Sequence, residues 1–297
     1  MNIFFKYFNK LVEVMEDLWL ILQPNKLFIS GFIFRDGLHL KHFNWGDDIN
    51  VFFLEQLSGK KIVVKNNSYI FKYLPIKSYS CIGSVLGEYN DSRIEVWGSG
   101  IIREDLIVKY PPKKIHSVRG PLTRKILLEQ GIKCPEKYGD PALLLCKYYN
   151  PKVERKYKIG IIPHYRDLVN PLLMDFYNRH KNEVIIIKMR DYKDWHDIPD
   201  LICSCKYILS SSLHGLIISD SYGVPNKWIS MSSLKGGYFK FWDYYLSVGR
   251  KEETPTLIKE MSDFEELLTS ENFEVSRNID FSSILDSCPF NIKPNIY

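Results

Sequence analysis

The chain has 297 residues, enough for one large domain or two of ordinary size, and its 45% hydrophobic and 25% charged residues are those of a soluble globular protein. The net charge is +5 with the basic residues scattered, which leaves no electrostatic footprint for nucleic acid, and no DNA- or RNA-binding motif is present. Mild basicity suits an anionic substrate or an anionic membrane surface, and 19 Tyr with 17 Phe suit a carbohydrate or membrane-surface partner.

The predicted elements begin with a helix over residues 3–23, where Phe8, Leu11, Met15, Leu18, Trp19 and Leu22 recur at helical spacing before Pro24. Two readings stand: a helix packed on the first half of the chain, or a peripheral membrane contact. Packing is favoured because Glu13, Glu16 and Asp17 oppose an anionic surface. Those charges also interrupt any secretory signal, and no apolar run reaches the roughly 20 residues of a bilayer span. The expected location is cytoplasmic, with the inner face of the membrane as the one membrane contact. The six cysteines form no CxxC pair and stand at no zinc spacing, as reduced thiols do.

A strand is expected at 28–34. Asn44-Trp45-Gly46-Asp47-Asp48 then makes a turn in which Asp47 or Asp48 caps the next helix. Strands follow at 61–64, 80–86 and 94–97, the last ending in Gly98-Ser99-Gly100. A Gly-rich turn at the C-terminal end of a strand is where open α/β sheets place ligands. The strand 115–118 runs into Arg119-Gly120-Pro121, and Pro121 suits the first turn of a helix to Gln130. Asp140 reads as a cap for the apolar segment 142–145.

Residues 146–158 are charged and carry Pro151, the best linker candidate. The alternation then restarts: a strand at 158–162 ending in Pro163-His164-Tyr165, a helix at 171–181, a strand at 184–188 leading to Met189-Arg190-Asp191, and a helix near Ile198. A short strand at 207–209 leads through Ser210-Ser211-Ser212 into Leu213-His214-Gly215 and a helix that Gly223 and Pro225 stop. A strand passing through Ser and Gly into a helix leaves backbone N–H groups free for an anion. His214 stands at that turn with a side chain suited to moving protons near neutral pH. The alternative is a capping serine run and a structural histidine. A strand at 226–229 and helices at 239–246 and 256–268 follow, and the tail ends with 281–285.

Two consecutive β/α halves joined near residue 150 enclose a cleft. The expected fold is therefore α/β, with Rossmann-like domains over 1–150 and 151–297 and the C-terminal tail returning to the first. By analogy of fold this is a GT-B-like arrangement. Asn44 to Asp47, Ser99, Gly100 and Arg119 face the cleft from one side, and His164, Ser210 to Gly215 and Lys240 from the other.

Seven blocks in order, spread over about residues 40 to 250, resemble the polysaccharide pyruvyl transferase family: Asn44 to Asn50, Val96 to Gly100, Val118 to Arg124, Tyr138 to Leu144, Gly160 to Tyr165, Ser210 to Pro225 and Gly236 to Tyr245. The resemblance implies transfer of a pyruvyl group from phosphoenolpyruvate to a sugar of a surface polysaccharide or its lipid-linked precursor. The product is a cyclic ketal, and no cofactor or metal is required. In the family an Arg matching Arg119 and an Arg-Leu-His run serve the donor. Leu213 and His214 match the end of that run, while Ser212 stands where the family often has Arg.

On this basis His214 is the expected proton-transfer group, with Asp47 as a second base or acceptor contact. Capping is the structural alternative for Asp47. Arg119, Ser211, Ser212, Leu213, Gly215 and Lys240 are the expected phosphoenolpyruvate contacts, because a phosphate and a carboxylate need cations and N–H donors. Lys240, Arg250 or Lys235 is expected to supply the charge missing at Ser212. Asn44, Ser99, Gly100 and His164 are expected on the acceptor or cleft side, and Trp45, Trp97 and Trp242 as sugar-stacking rings, burial being the alternative. Two other functions compete: a GT-B glycosyltransferase whose ribose-binding acid would be Asp220, and a non-catalytic member of a polysaccharide assembly complex, motivated by Ser212.

Overall fold

The computed structural model describes residues 3–36, 39–232, 236–251, 254–276 and 278–293. The first half runs α1 (Ile3–Leu22), β1 (Lys26–Ile29), the short pair β2 (Arg35–Asp36) and β3 (His39–Leu40), α2 (Trp45–Ser58), β4 (Lys61–Val64), β5 (Ser78–Ser80), β6 (Ile94–Trp97), β7 (Lys114–Ser117) and α3 (Pro121–Glu129). Its sheet is parallel with order β4-β1-β5-β6-β7. Strands such as β6 are buried along their whole length, as parallel strands covered on both faces must be.

A 3-10 turn over Pro141–Lys147 and an irregular stretch over 149–156 lead to the second half. This runs β8 (Tyr157–Ile162), α4 (Pro171–His180), β9 (Val184–Ile186), α5 (Asp197–Cys203), β10 (Cys205–Ser210), α6 (Leu213–Ser221), β11 (Asn226–Ser230), α7 (Phe239–Ser247), β12 (Thr256–Leu257), α8 (Met261–Thr269) and α9 (Phe281–Asp286). The second sheet is again parallel, in the order β12-β11-β10-β8-β9. Two parallel five-stranded sheets make this a mixed, Rossmann-like α/β protein.

Several boundaries differ from expectation for local reasons. Asn44, not an aspartate, caps α2: its side chain accepts from the Gly46 N–H, which places Asp47 and Asp48 in the first turn. The helix expected from Thr256 starts at Met261, because Thr256 and Leu257 pair with Ile229 and Ser230 and a Glu260–Asp263 capping box begins the helix there. β1 ends at Ile29, earlier than 34.

The largest correction concerns α1. It rests on the body through Leu20, packed with Val63 and Phe71, and through Asp17, whose carboxylate accepts from the Ser68 hydroxyl (2.7 Å) and the Ile70 N–H (2.9 Å). Glu13 and Glu16 line the same groove. The helix thus turns its acidic side inward and exposes Phe8, Leu11, Met15, Leu18, Trp19 and Leu22. The expected packing of the apolar stripe does not occur, because polar partners on the body take the opposite side. Among the described residues no helix is long and apolar enough to cross a membrane.

The two halves share a core. Trp45 and Ile49 of α2 lie in one apolar cluster with Ile162, Leu213 and Leu216. The tail returns to the first sheet, where the Trp97 indole N–H donates to the Ile284 carbonyl (3.0 Å) and Phe290 packs against Tyr79 and Trp97.

Candidate active site

One cavity of about 170 Å³ lies where the C-terminal ends of strands from both sheets meet. Its wall includes Asn44, Asp47 and Ser84 from the first half, and His164, Arg190, Ser212, Leu213, His214 and Lys240 from the second. Strand ends supply most of these groups because side chains and backbone N–H groups are free there to face a ligand.

The first turn of α2 is held against the second half by bonds across the chain. The Trp45 N–H donates to the Met189 carbonyl (2.7 Å), the Trp45 indole to the Trp195 carbonyl (2.8 Å), and the Tyr192 hydroxyl to Asp48 (2.9 Å). Asp47, partly buried and accepting from the Asn44 amide, therefore lies on the same cavity wall as His214 and Lys240. Burial raises its carboxyl to about 7, with Asp48 and Asp140 adding to the rise and the Asn44 hydrogen bond and Lys240 opposing it.

His214 is 9% exposed, and its Nε2 is buried without a hydrogen-bond partner among the described residues. Burial, with Lys240 and Arg119 adding like charge, lowers the imidazole to about 3, so it is neutral in the free protein. Its seat depends on Gly46: a Cβ there would lie 1.9 Å from His214 Nδ1. The sequence marks Gly46 only as a turn residue. The close approach that needs it is tertiary.

Below His214, α6 starts with its donors free. Ser212 is the N-cap but makes no side-chain cap bond. The N–H groups of Leu213, His214 and Gly215 have no acceptor among the described residues. Together with the positive end of the helix they form an anion seat. Ser211 is not part of the cavity wall: its hydroxyl is buried and accepts from the His164 N–H (2.7 Å), which ties the end of β8 to α6. Gly215 also stays behind the wall, leaving space that the Ser210 hydroxyl fills.

Lys240, in the first turn of α7, points into the cavity and its ammonium has no hydrogen-bond partner among the described residues. Burial, then Arg119, lowers it to about 8, while Asp47 opposes that shift. His164 is lowered to about 4 by burial, then by Lys240 and Arg166, against Asp167.

Arg119 is placed elsewhere than expected. It is 0% exposed and lies behind the wall, its Nε donating to Asp243 (3.0 Å), its Nη2 to the Ile101 carbonyl (2.8 Å) and its Nη1 to the Ser84 hydroxyl. It thus holds α7, and with it Lys240, while Ser84 is the group that reaches the cavity. Gly100 makes room for this guanidinium, since a Cβ there would lie 2.4 Å from its Cζ. Ser99 is buried and donates to the Gly83 carbonyl (3.1 Å). Neither Ser99 nor Gly100 lines the cavity.

Arg250 is also committed away from the site, pairing with Asp220 (2.8 Å), and Lys235 lies outside the described residues. Asp220 is buried and spends its oxygens on Arg250, Tyr244, Asn226 and Ser276. It offers nothing to a ribose. Trp45 and Trp97 are wholly buried, so the rings at the cavity are Phe32, Phe43 and Tyr165 instead. Arg190, read in the sequence only as a residue beyond a strand, stands between two of them: its guanidinium lies 6.0 Å from the Phe43 ring and 5.4 Å from the Tyr165 ring.

Residues 86–233 match the family described as Polysaccharide pyruvyl transferase. The chain is also similar to an uncharacterized protein, L143, of Acanthamoeba polyphaga mimivirus, with 30% identity over 211 residues covering 69% of this chain and 71% of the relative. The matched span holds His164, Arg190 and the 210–215 turn of the cavity wall, whereas Asn44, Asp47, Ser84 and Lys240 lie outside it. The chain belongs to the polysaccharide pyruvyl transferase family.

Proposed function

We propose that the protein transfers the pyruvyl group of phosphoenolpyruvate to two hydroxyls of a sugar, forming a cyclic ketal, on a polysaccharide or its lipid-linked precursor. Family membership supports pyruvyl transfer on polysaccharide. The observation that carries the finer reading is the cavity: helix N–H groups and a Lys240 ammonium without hydrogen-bond acceptors among the described residues, and a neutral imidazole at His214, around about 170 Å³. That volume is below the roughly 300–1,000 Å³ of sites for drug-sized ligands and suits a small acid better than a nucleotide sugar.

In this reading the donor's anionic groups lie against Ser212, Leu213, His214 and Lys240. Their charge raises the His214 imidazole, which then hands a proton to the methylene carbon. The carbonyl-type carbon gains positive character, one sugar hydroxyl adds to it, and Asp47 takes that hydroxyl's proton. The carbon–oxygen bond to phosphate breaks, and the second hydroxyl closes the ketal. Of the two hydroxyl protons, one balances the new methyl group and the other leaves on phosphate. Phe43 and Tyr165, both exposed at the rim, are suited to stacking on the sugar.

The two sheets act as the two lobes of a GT-B-like enzyme, with residues 1–150 on the acceptor side and 151–297 on the donor side. The exposed stripe of α1 supports contact with a membrane surface, where a lipid-linked acceptor would be presented. The test is incubation with phosphoenolpyruvate and candidate glycans, reading phosphate release and the mass of the glycan. Thermal stabilisation by UDP- or GDP-sugars, with none by phosphoenolpyruvate, would overturn the proposal in favour of glycosyl transfer.

A further inference from the structure

We infer that Arg190 is an anion-anchoring residue of this cavity, gripping the carboxylate or phosphate of a small dianionic acid opposite the start of α6. The identity of that acid as phosphoenolpyruvate rests on the function proposed above. The anion-binding role of Arg190 does not.

The backbone around Arg190 is fixed on both sides. The carbonyl of Met189 accepts from the Trp45 N–H (2.7 Å), and the Asp191 N–H donates to the His42 carbonyl (2.9 Å). Phe43 and Tyr165 restrain the guanidinium by stacking. Its Nε is buried without a hydrogen-bond partner, and no carboxylate pairs with it among the described residues. A guanidinium carries five donors and is always charged, and Arg190 is only partly buried on the cavity wall, so its donors stand open to an anion there.

Among the described residues the rest of the cavity wall offers the Lys240 ammonium but no second guanidinium. Ser212 brings only a hydroxyl, and the α6 start brings neutral N–H groups. Lys240 is a point charge, whereas the planar fork of Arg190 fits a carboxylate or phosphate edge through two parallel hydrogen bonds. A ligand with two anionic groups would then span the cavity between Arg190 on one side and the α6 start with Lys240 on the other.

The test measures binding of phosphoenolpyruvate and of inorganic phosphate by calorimetry to wild type, Arg190→Gln and Arg190→Lys, with thermal melting as the fold control. Arg190→Gln is expected to weaken both anions by about tenfold to a hundredfold, the usual range for a charge-assisted contact. Arg190→Lys, which keeps the charge and loses the fork, is expected to fall between and gives the readout if the glutamine variant does not fold. Wild-type binding of phosphate but not of phosphoenolpyruvate would remove the donor assignment and leave Arg190 judged on phosphate alone. Wild-type-like affinity for both anions in a folded Arg190 variant, or no binding of either anion by wild type, would overturn the inference.

Discussion

The His214 ring is left open by what its neighbours withhold. Its Nε2 has no hydrogen-bond partner among the described residues, and Gly46 leaves the ring the space that any side chain would take. His214→Ala is expected to lower kcat by about 10²–10⁴-fold with little change in melting temperature. Gly46→Ala, whose methyl would meet the ring at 1.9 Å, is expected to lower kcat through displacement of the imidazole; a Gly46→Ala protein with full turnover would show that the ring position does not matter. The pH profile follows from two groups. As the base proposed above, Asp47 acts only when ionised, so kcat, read with the bound donor keeping His214 protonated, is expected to rise with pH through about 7. Lys240 holds the anion only when protonated, so kcat/KM is expected to fall as pH rises through about 8. Asp47→Asn should lose the acid limb along with most of the rate, and a profile flat from pH 6 to 9 in wild type would contradict both assignments.

At the scale of the element, α1 inverts the usual order of an amphipathic surface helix. Its acidic side is consumed by Ser68 and the Ile70 N–H, and its apolar side is left outward. The acidic residues that argued against an anionic surface therefore do not face one. Sedimentation with vesicles containing anionic lipid is expected to carry down the wild-type chain and to lose it when Leu11, Met15 and Leu18 are changed together to Ser, with catalysis on a water-soluble acceptor retained. Equal sedimentation of both proteins would remove the membrane role from this helix. The start of α6 differs: its nine residues are buried throughout, and Leu213 and His214 of its first turn line the cavity.

On the scale of the whole molecule, the site exists because two sheets are locked together. Arg119, at the end of β7, and Asp243, on α7, are both 0% exposed and meet at 2.9 Å. Asp243 also accepts from the Thr123 N–H (2.7 Å) and hydroxyl (2.7 Å), so α7 is tied to α3. Removing one partner leaves the other charge buried and unpaired, which costs about 3–5 kcal/mol. Arg119→Ala is accordingly expected to lower the unfolding free energy by that order in denaturant titration, and to weaken donor binding through displacement of Lys240 and Ser84. Unchanged stability with lost binding would instead place Arg119 in direct contact with the donor.

The sequence by itself determined the alternation of strands and helices, the serine turn into α6 with His214 on it, and the family, because these depend on local periodicity, turn chemistry and ordered motifs. Of the residues it points to, Asn44, Asp47, His164, Ser212, Leu213, His214 and Lys240 line one cavity, since each sits beside a strand end or a helix start. It could not separate the groups that line the cavity from those one layer behind it. Ser99, Gly100, Ser211 and Arg119 stand at strand ends too, but their partners Gly83, His164 and Asp243 come from other segments and draw them inward. Arg190 is invisible in sequence for the same reason: an arginine beyond a strand is unremarkable until Phe43 and Tyr165 close on it and no acid among the described residues does. Only the tertiary structure decided these matters, because burial and the presence or absence of a counter-charge are properties of what packs around a side chain rather than of its neighbours in the chain.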